Sequence, residues 1–196
     1  MATVQPIYLD YNATTPVLPE VIDAMLPYLR EHFGNPSSDH AYGQRAREAV
    51  ARARGQVAAL LGCDADEVVF TGRGTEANNL AIRGVAEARG ERRHVVTSVV
   101  EHPATAGPCD WLERHGWTVT RIAVDTDGRV RVADARAAIG DGTALVSVMH
   151  SNNETGVLQP VEEITPAARA CGALVHTDAA QSAGKVHLDV RTVIER

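Results

Sequence analysis

Short apolar runs alternate with longer amphipathic stretches along the chain, and no internal repeat, low-complexity tract or linker divides them. Five runs read as strands: VVF at 68–70, HVVTSVV at 94–100, TVTRIAV at 118–124, ALVSVMH at 144–150 and ALVHT at 173–177. Most are continuous and β-branched rather than alternating, the pattern of strands covered on both faces in a parallel sheet. Between them the periodicity becomes helical. Over 41–62, Ala46, Ala49, Val50, Ala53, Val57, Leu60 and Leu61 recur at helical spacing, and Arg45, Arg47, Arg52 and Arg54 fall mostly on the opposite side. Gly62 is placed to end that helix. Further helices are predicted near 19–32, 75–89, 104–115, 133–139 and 160–171. Pro160 suits a first turn, whereas Pro27 and Pro166 leave the limits of two of these helices loosely defined.

Strands joined by helices imply right-handed crossovers and an α/β fold, a mostly parallel sheet with helices on both faces. Ligands of such sheets bind beyond the carboxyl ends of the strands. Those ends are polar here: TGRGTEANN after the first run, VEHPAT after the second, HSNNETG after the fourth and HTDAAQ after the fifth.

Composition narrows the partners. The 196 residues are room for one domain of ordinary to large size. Hydrophobic residues at 44% and charged residues at 22% set aside disorder and simple fibres. With 19 basic against 25 acidic residues the net charge is -6, so nucleic acid and anionic membrane are not expected partners. Cys63, Cys109 and Cys171 form no CxxC pair, and their odd number argues against a disulfide framework and a zinc site. They fit a reducing compartment. The opening residues lack a charged-then-apolar leader and no apolar run reaches membrane-spanning length, so a soluble cytoplasmic protein is expected. Of the 19 basic residues, 18 are arginine and one, Lys185, is lysine.

The loop at 71–80 carries Gly72 and Gly74 before Thr75 and Glu76 open a helix. Free N–H groups at a helix start form a phosphate site, and glycines let the backbone approach the anion. The dipole contributes only about 0.3–1 kcal/mol, so the cradle does not identify its ligand. Ala77 replaces the third glycine of a dinucleotide loop and no GK[ST] follows, which argues against a nucleotide-binding domain. The plainer alternative is a turn capped by Thr75. Asp178, at the end of an apolar strand, requires a compensating partner for its charge. One candidate is the protonated ring nitrogen of pyridoxal phosphate, which a carboxylate keeps charged so that the ring acts as an electron sink. The alternative is the N-cap of a helix from Ala179. Gln181 either donates to the ring's phenolate oxygen or lies in that helix's first turn. His102, before Pro103, is placed to stack on an aromatic ring, or is merely packed or solvated. Asn152, Asn153 and Glu154 precede Gly156 and form either a turn or a donor set for a ring oxygen. The histidines show no metal spacing. The cysteines, in or beside predicted helices, read as small core residues rather than nucleophiles.

YLDYNATTP (8–16), FGNPSSDHAYG (33–43), TGRGTEANNLAIRG (71–84), EHPA (101–104), NNETG (152–156) and HTDAAQSAGK (176–185), in this order, closely resemble the cysteine desulfurases, pyridoxal phosphate enzymes of the class V aminotransferase group. The resemblance implies the three-layer large domain of the fold-type I enzymes, with its sheet incomplete at the C-terminal end. Residues 1–196 would comprise the amino-terminal segment and most of the cofactor-binding domain, without the small C-terminal domain. It also implies that Gly74 and Thr75 bind the cofactor phosphate and that His102, the catalytic candidate, stacks on the pyridine ring. Asn153 and Gln181 would contact the phenolate oxygen, and Asp178 would pair with the ring nitrogen. Asn12 would lie near the carboxylate of the substrate L-cysteine, or is a turn residue before Pro16.

The family's Schiff-base lysine, in a histidine-lysine run beyond the Asp178 position, and its persulfide-bearing cysteine are not matched in this chain, and Lys185 corresponds to a different family position. Without that lysine the desulfurase cycle loses its covalent anchor and general base. The expectation is therefore a truncated or split half, inactive alone, of an enzyme that converts L-cysteine to L-alanine and passes sulfur as a persulfide to an acceptor protein, as in iron-sulfur cluster assembly. A homodimer or a complementing desulfurase chain is the implied partner. The alternative is a non-catalytic pyridoxal phosphate-binding or scaffold protein that docks to a full-length desulfurase.

Overall fold

A computed structural model describes residues 6–194. The elements, in chain order, are α1 (Pro19–Arg30), α2 (Ala41–Leu61), a 3-10 turn (Ala65–Glu67), α3 (Gly74–Ala88), β1 (His94–Ser98), α4 (Pro103–Arg114), β2 (Thr118–Ile122), α5 (Val132–Ala138), β3 (Thr143–Ser147), α6 (Val161–Ala170), β4 (Leu174–His176) and α7 (Val190–Val193). They form two compact units divided within α2, between Val57 and Ala58.

The first unit holds α1 and most of α2. Pro19 opens α1, where its missing N–H costs nothing, and Pro27 lies inside the helix without ending it. The connection back into α2 is tight: a Cβ at Gly34 would stand 2.2 Å from the Tyr42 carbonyl oxygen. Arg47 braces the turn by donating to the carbonyls of Pro36 and Ser38.

The second unit is a four-stranded parallel sheet in the order β2-β1-β3-β4. The continuous apolar strands are explained by cover on both faces. Val95 and Leu145 pack with Ile82 of α3 and with Cys109 and Leu112 of α4. Val96 and Val146, one residue on, pack with Ala135 of α5, Ile164 and Ala168 of α6 and Val193 of α7. This alternation gives three layers, and each such side chain removed from water contributes about 1.5–3 kcal/mol. At the amino ends of the strands, both ring nitrogens of His94 meet threonine hydroxyls, those of Thr143 and Thr120, at 2.9 Å each. Arg89 and Arg92 donate to the carbonyls of Gly172 and Cys171, tying the end of α3 to the turn before β4.

Four predicted strands and all six predicted helices form, with limits shifted by a few residues. The VVF segment does not. Val68 is extended and buried, yet Val69 and Phe70 are 69% and 49% exposed and lie in none of the sheet's four strands. β-branched residues favour the extended backbone, but a ladder needs a neighbour. Pro160 is the N-cap of α6 rather than a first-turn residue, and Pro166 lies within that helix. Nor does a helix start at Ala179: residues 180–185 form successive turns, with Ser182 and Ala183 both donating to the Ala179 carbonyl.

Candidate functional site

The sheet's order reverses between β1 and β3. β1 runs on into α4 on one face, and β3 runs on into α6 on the other, so their carboxyl ends part and leave a crevice. A cleft of about 200 Å³ lies there, and Gly74, Thr75, His102, Asn153, Asp178 and Gln181 all line it, together with Met149 and Ser151. Six residues singled out from four motifs thus share one cavity.

Each is placed by local chemistry. α3 starts at Gly74 after Arg73, an extended N-cap whose side chain makes no cap bond. The turn before it is closed instead by Glu76, which accepts from the Gly72 N–H at 2.7 Å, and by Thr71, whose hydroxyl donates to the Arg73 carbonyl. Thr75 is therefore not the cap. It is exposed in the helix's first turn, where N–H groups have no intrahelical acceptor. A Cβ at Gly74 would meet nothing within 4 Å, so glycine keeps that wall bare.

The half-buried Asp178 carboxylate is held from two sides. Asn78 donates to Oδ2 at 2.8 Å, and the Ala180 N–H donates to Oδ1 at 3.0 Å. Asn78 is itself buried and also donates to the Thr105 hydroxyl at 3.1 Å, linking α3, α4 and the end of β4. Both donors are uncharged groups. His102 is the N-cap of α4: its Nδ1 accepts from the Ala104 N–H at 3.1 Å, which fixes the ring. Asn152 and Asn153 divide the labour. Asn152 Oδ1 accepts from the N–H groups of Glu154 and Thr155, and the loop closes at Gly156, whose φ of 75° suits glycine. Asn152 builds the turn and Asn153 lines the cleft. Gln181 Oε1 accepts from Lys185 Nζ at 3.0 Å, which orients the amide. Asn12 belongs to the first unit, in an exposed turn where Ala13 donates to the Asp10 carbonyl.

Two contributors escape a reading of the sequence. Asn78 falls at i, i+4, i+8 with Ile82 and Ala86, and a polar residue on that buried stripe was the available signal. Glu101 follows an apolar strand as Asp178 does. Its Oε1 accepts from the Ser98 hydroxyl at 2.5 Å and from the Met149 N–H at 3.0 Å, while Oε2 is buried without a partner. Burial, reinforced by the negative charge of Asp178, pushes this carboxyl up to about 7 against the two donors. Cys109 is buried and its thiol is pushed up to about 11, chiefly by desolvation, which suits a core residue and not a nucleophile. Among the described residues no cluster of histidine, cysteine or carboxylate could hold a metal, and no helix is long and apolar enough to cross a membrane.

The family model for class-V aminotransferases matches residues 7–193. The chain belongs to that family. Among its relatives, cysteine desulfurase 2 of Trichormus variabilis is 50% identical over 186 residues, which cover 95% of this chain and 47% of the relative. A solved NifS-like protein superposes with a TM-score of 0.93 at 35% identity, covering 96% of this chain and 53% of the other. The structure described as SspA in complex with cysteine gives a TM-score of 0.92 at 38% identity, covering 95% and 54%. The chain therefore spans about half the length of the relatives it matches. The three-layer arrangement is that of these pyridoxal phosphate-dependent enzymes, and the family depends on that cofactor. The residues present fit the group: a bare helix start suits its phosphate, and a carboxylate oriented by two uncharged donors suits its ring nitrogen.

Proposed function

We propose that the second unit carries the coenzyme half of a cysteine desulfurase site. The observation that carries this reading is the shared cleft, with the start of α3 and the doubly held Asp178 carboxylate both in its lining. When bound, pyridoxal phosphate supplies an electron sink for bonds at the carbon bearing the substrate's amine. Gly74 and Thr75 bind its phosphate, and Asp178 holds the proton on its ring nitrogen. His102, fixed through Nδ1, stacks on the ring and keeps water from that face. Asn153 and Gln181 donate to its phenolate oxygen. Asn12 serves the carboxylate of L-cysteine. An enzyme with this site yields L-alanine and passes sulfur to an acceptor protein, in a reducing cytoplasm, as a homodimer or with a complementing chain.

Lys185 is exposed and its amine is engaged by Gln181, so this chain by itself takes up the coenzyme reversibly and turns over no cysteine. Equilibrium dialysis, borohydride reduction with mass analysis, and a sulfide assay test this together. The expected results are release of coenzyme on dialysis, no fixed lysine adduct, and sulfide at the free-coenzyme rate. Asp178→Asn weakens uptake roughly tenfold, the scale of one charge-assisted bond. Sulfide release that survives Lys185→Ala but requires Asp178 refutes the inactivity, and a folded protein that takes up no coenzyme refutes the site.

A further inference from the structure

One hydroxyl in the cleft wall has no part in that scheme. Ser151 follows β3, lines the cleft and is 7% exposed. Its Oγ lies 2.6 Å from Ser182 Oγ, and Ser182, 1% exposed, lies 2.7 Å from His150 Nδ1. An unbroken line of hydrogen-bonding atoms thus runs from an imidazole to a residue of the cavity wall. The backbone holds each member: His150 donates to the Asp178 carbonyl and accepts from Gln159, and the Ser182 N–H donates to the Ala179 carbonyl.

A hydroxyl has a single proton, so the links must all point the same way. With Nδ1 unprotonated, Ser182 donates to the ring and Ser151 donates to Ser182. Ser151 then shows the cleft only oxygen lone pairs. With Nδ1 protonated, the ring donates to Ser182 and Ser182 donates to Ser151. The Ser151 proton then turns to the cleft.

We propose that Ser151 is a further coenzyme-facing residue, and that Ser182 and His150 are positioning residues whose ring proton decides whether Ser151 donates to or accepts from the bound group. The proposal rests on the assignment of this cleft to pyridoxal phosphate. Burial lowers the imidazole of His150 from its ordinary range, and Glu162, at the start of α6, acts against that shift. Asp178, at the end of β4, meets His150 through its backbone carbonyl. The ring is therefore neutral above the ordinary histidine range and gains its proton below it. Phenolate and phosphate oxygens of the coenzyme are acceptors, so they gain a donor in the protonated form. By linkage, a bound acceptor raises the ring's own proton affinity.

The test follows the ring nitrogens of His150 by NMR in the full chain from about pH 5 to 8, alongside coenzyme affinity, in wild type, Ser151→Ala and Ser182→Ala. At the upper end Nδ1 gives the shift of an unprotonated acceptor. Both variants lower the protonation midpoint, because a bond from imidazolium is stronger than one to the neutral ring. Ser151→Ala does so without touching the ring, and it alone decides the matter should Ser182→Ala not fold. The ratio of wild-type to Ser151→Ala affinity rises roughly threefold to tenfold on acidification, a ratio in which the coenzyme's own titration cancels. A protonated Nδ1 in the neutral ring, or a midpoint unmoved by Ser151→Ala, overturns the relay. Coenzyme uptake with a constant ratio overturns it too, whereas no uptake by any variant overturns the coenzyme assignment and the role of Ser151 with it.

Discussion

Asn78 aims Asp178 without placing a cation against it, because the donor to Oδ2 is an uncharged amide. Asn78→Ala is expected to lower coenzyme affinity about threefold to tenfold and global stability by about 1–2 kcal/mol, since Thr105 also loses a buried partner. Titration with pyridoxal phosphate and urea unfolding read the two effects. Glu101 carries the opposite kind of consequence. Unfolded, its carboxyl releases a proton near ~4.3, and folded it does so only at about 7. Between those values the folded state holds more protons, so this group's contribution to stability is complete at low pH and is lost as pH rises through the window. Glu101→Gln abolishes that loss: the stability of the variant relative to wild type should climb by up to about 3 kcal/mol from pH 4 to 8 in urea-unfolding curves. His94, His150 and His176 are lowered by burial and act the other way, destabilising the fold as pH falls below the ordinary histidine range. At this scale, what could be read from the sequence divides by where the evidence lies. Asp178 and His102 sit just past apolar strands, a local pattern. The donors that orient Asp178 and Glu101 come from 100 and 48 residues away in the chain, and only Asn78 leaves a mark, a polar residue in an apolar stripe.

Helices were legible because their signals are local. Gly62 ends α2 at φ 72°, a conformation glycine adopts freely, and a Cβ there would stand 2.8 Å from the carboxyl group of Asp189. Asp189 in turn caps α7 by accepting from the Arg191 N–H at 2.8 Å. Gly62→Ala is therefore expected to cost about 1–2 kcal/mol in urea unfolding, from backbone strain before any displacement of Asp189. Strands were legible only where a neighbour completed them. VVF and HVVTSVV look alike as sequences, but β1 is paired on both sides and residues 68–70 are not a strand of the sheet. Likewise turns at 180–185 replace a plausible helix although Asp178 accepts from the Ala180 N–H as an N-cap does, so that local signal alone did not decide the outcome.

At the scale of the whole molecule, exposed apolar side chains and a sheet edge mark surfaces open to association. Val69 and Phe70 are exposed beside the cleft-forming turn, and Leu174 is exposed on β4, which is paired on one side only. Such edges template association. The isolated chain is expected to self-associate with rising concentration in size exclusion with light scattering. Val69→Thr with Phe70→Ser should reduce that association and leave far-UV circular dichroism unchanged, while a monodisperse monomer at every concentration would contradict the idea. The cleft itself draws on residues from Gly74 to Gln181, so most of the second unit must be synthesised before its walls can meet. A ribosome-bound chain halted ahead of residue 178 should accordingly have no grip on the vitamin-derived ligand, and the first moment of capture would serve as a clock for when the last strand locks into place.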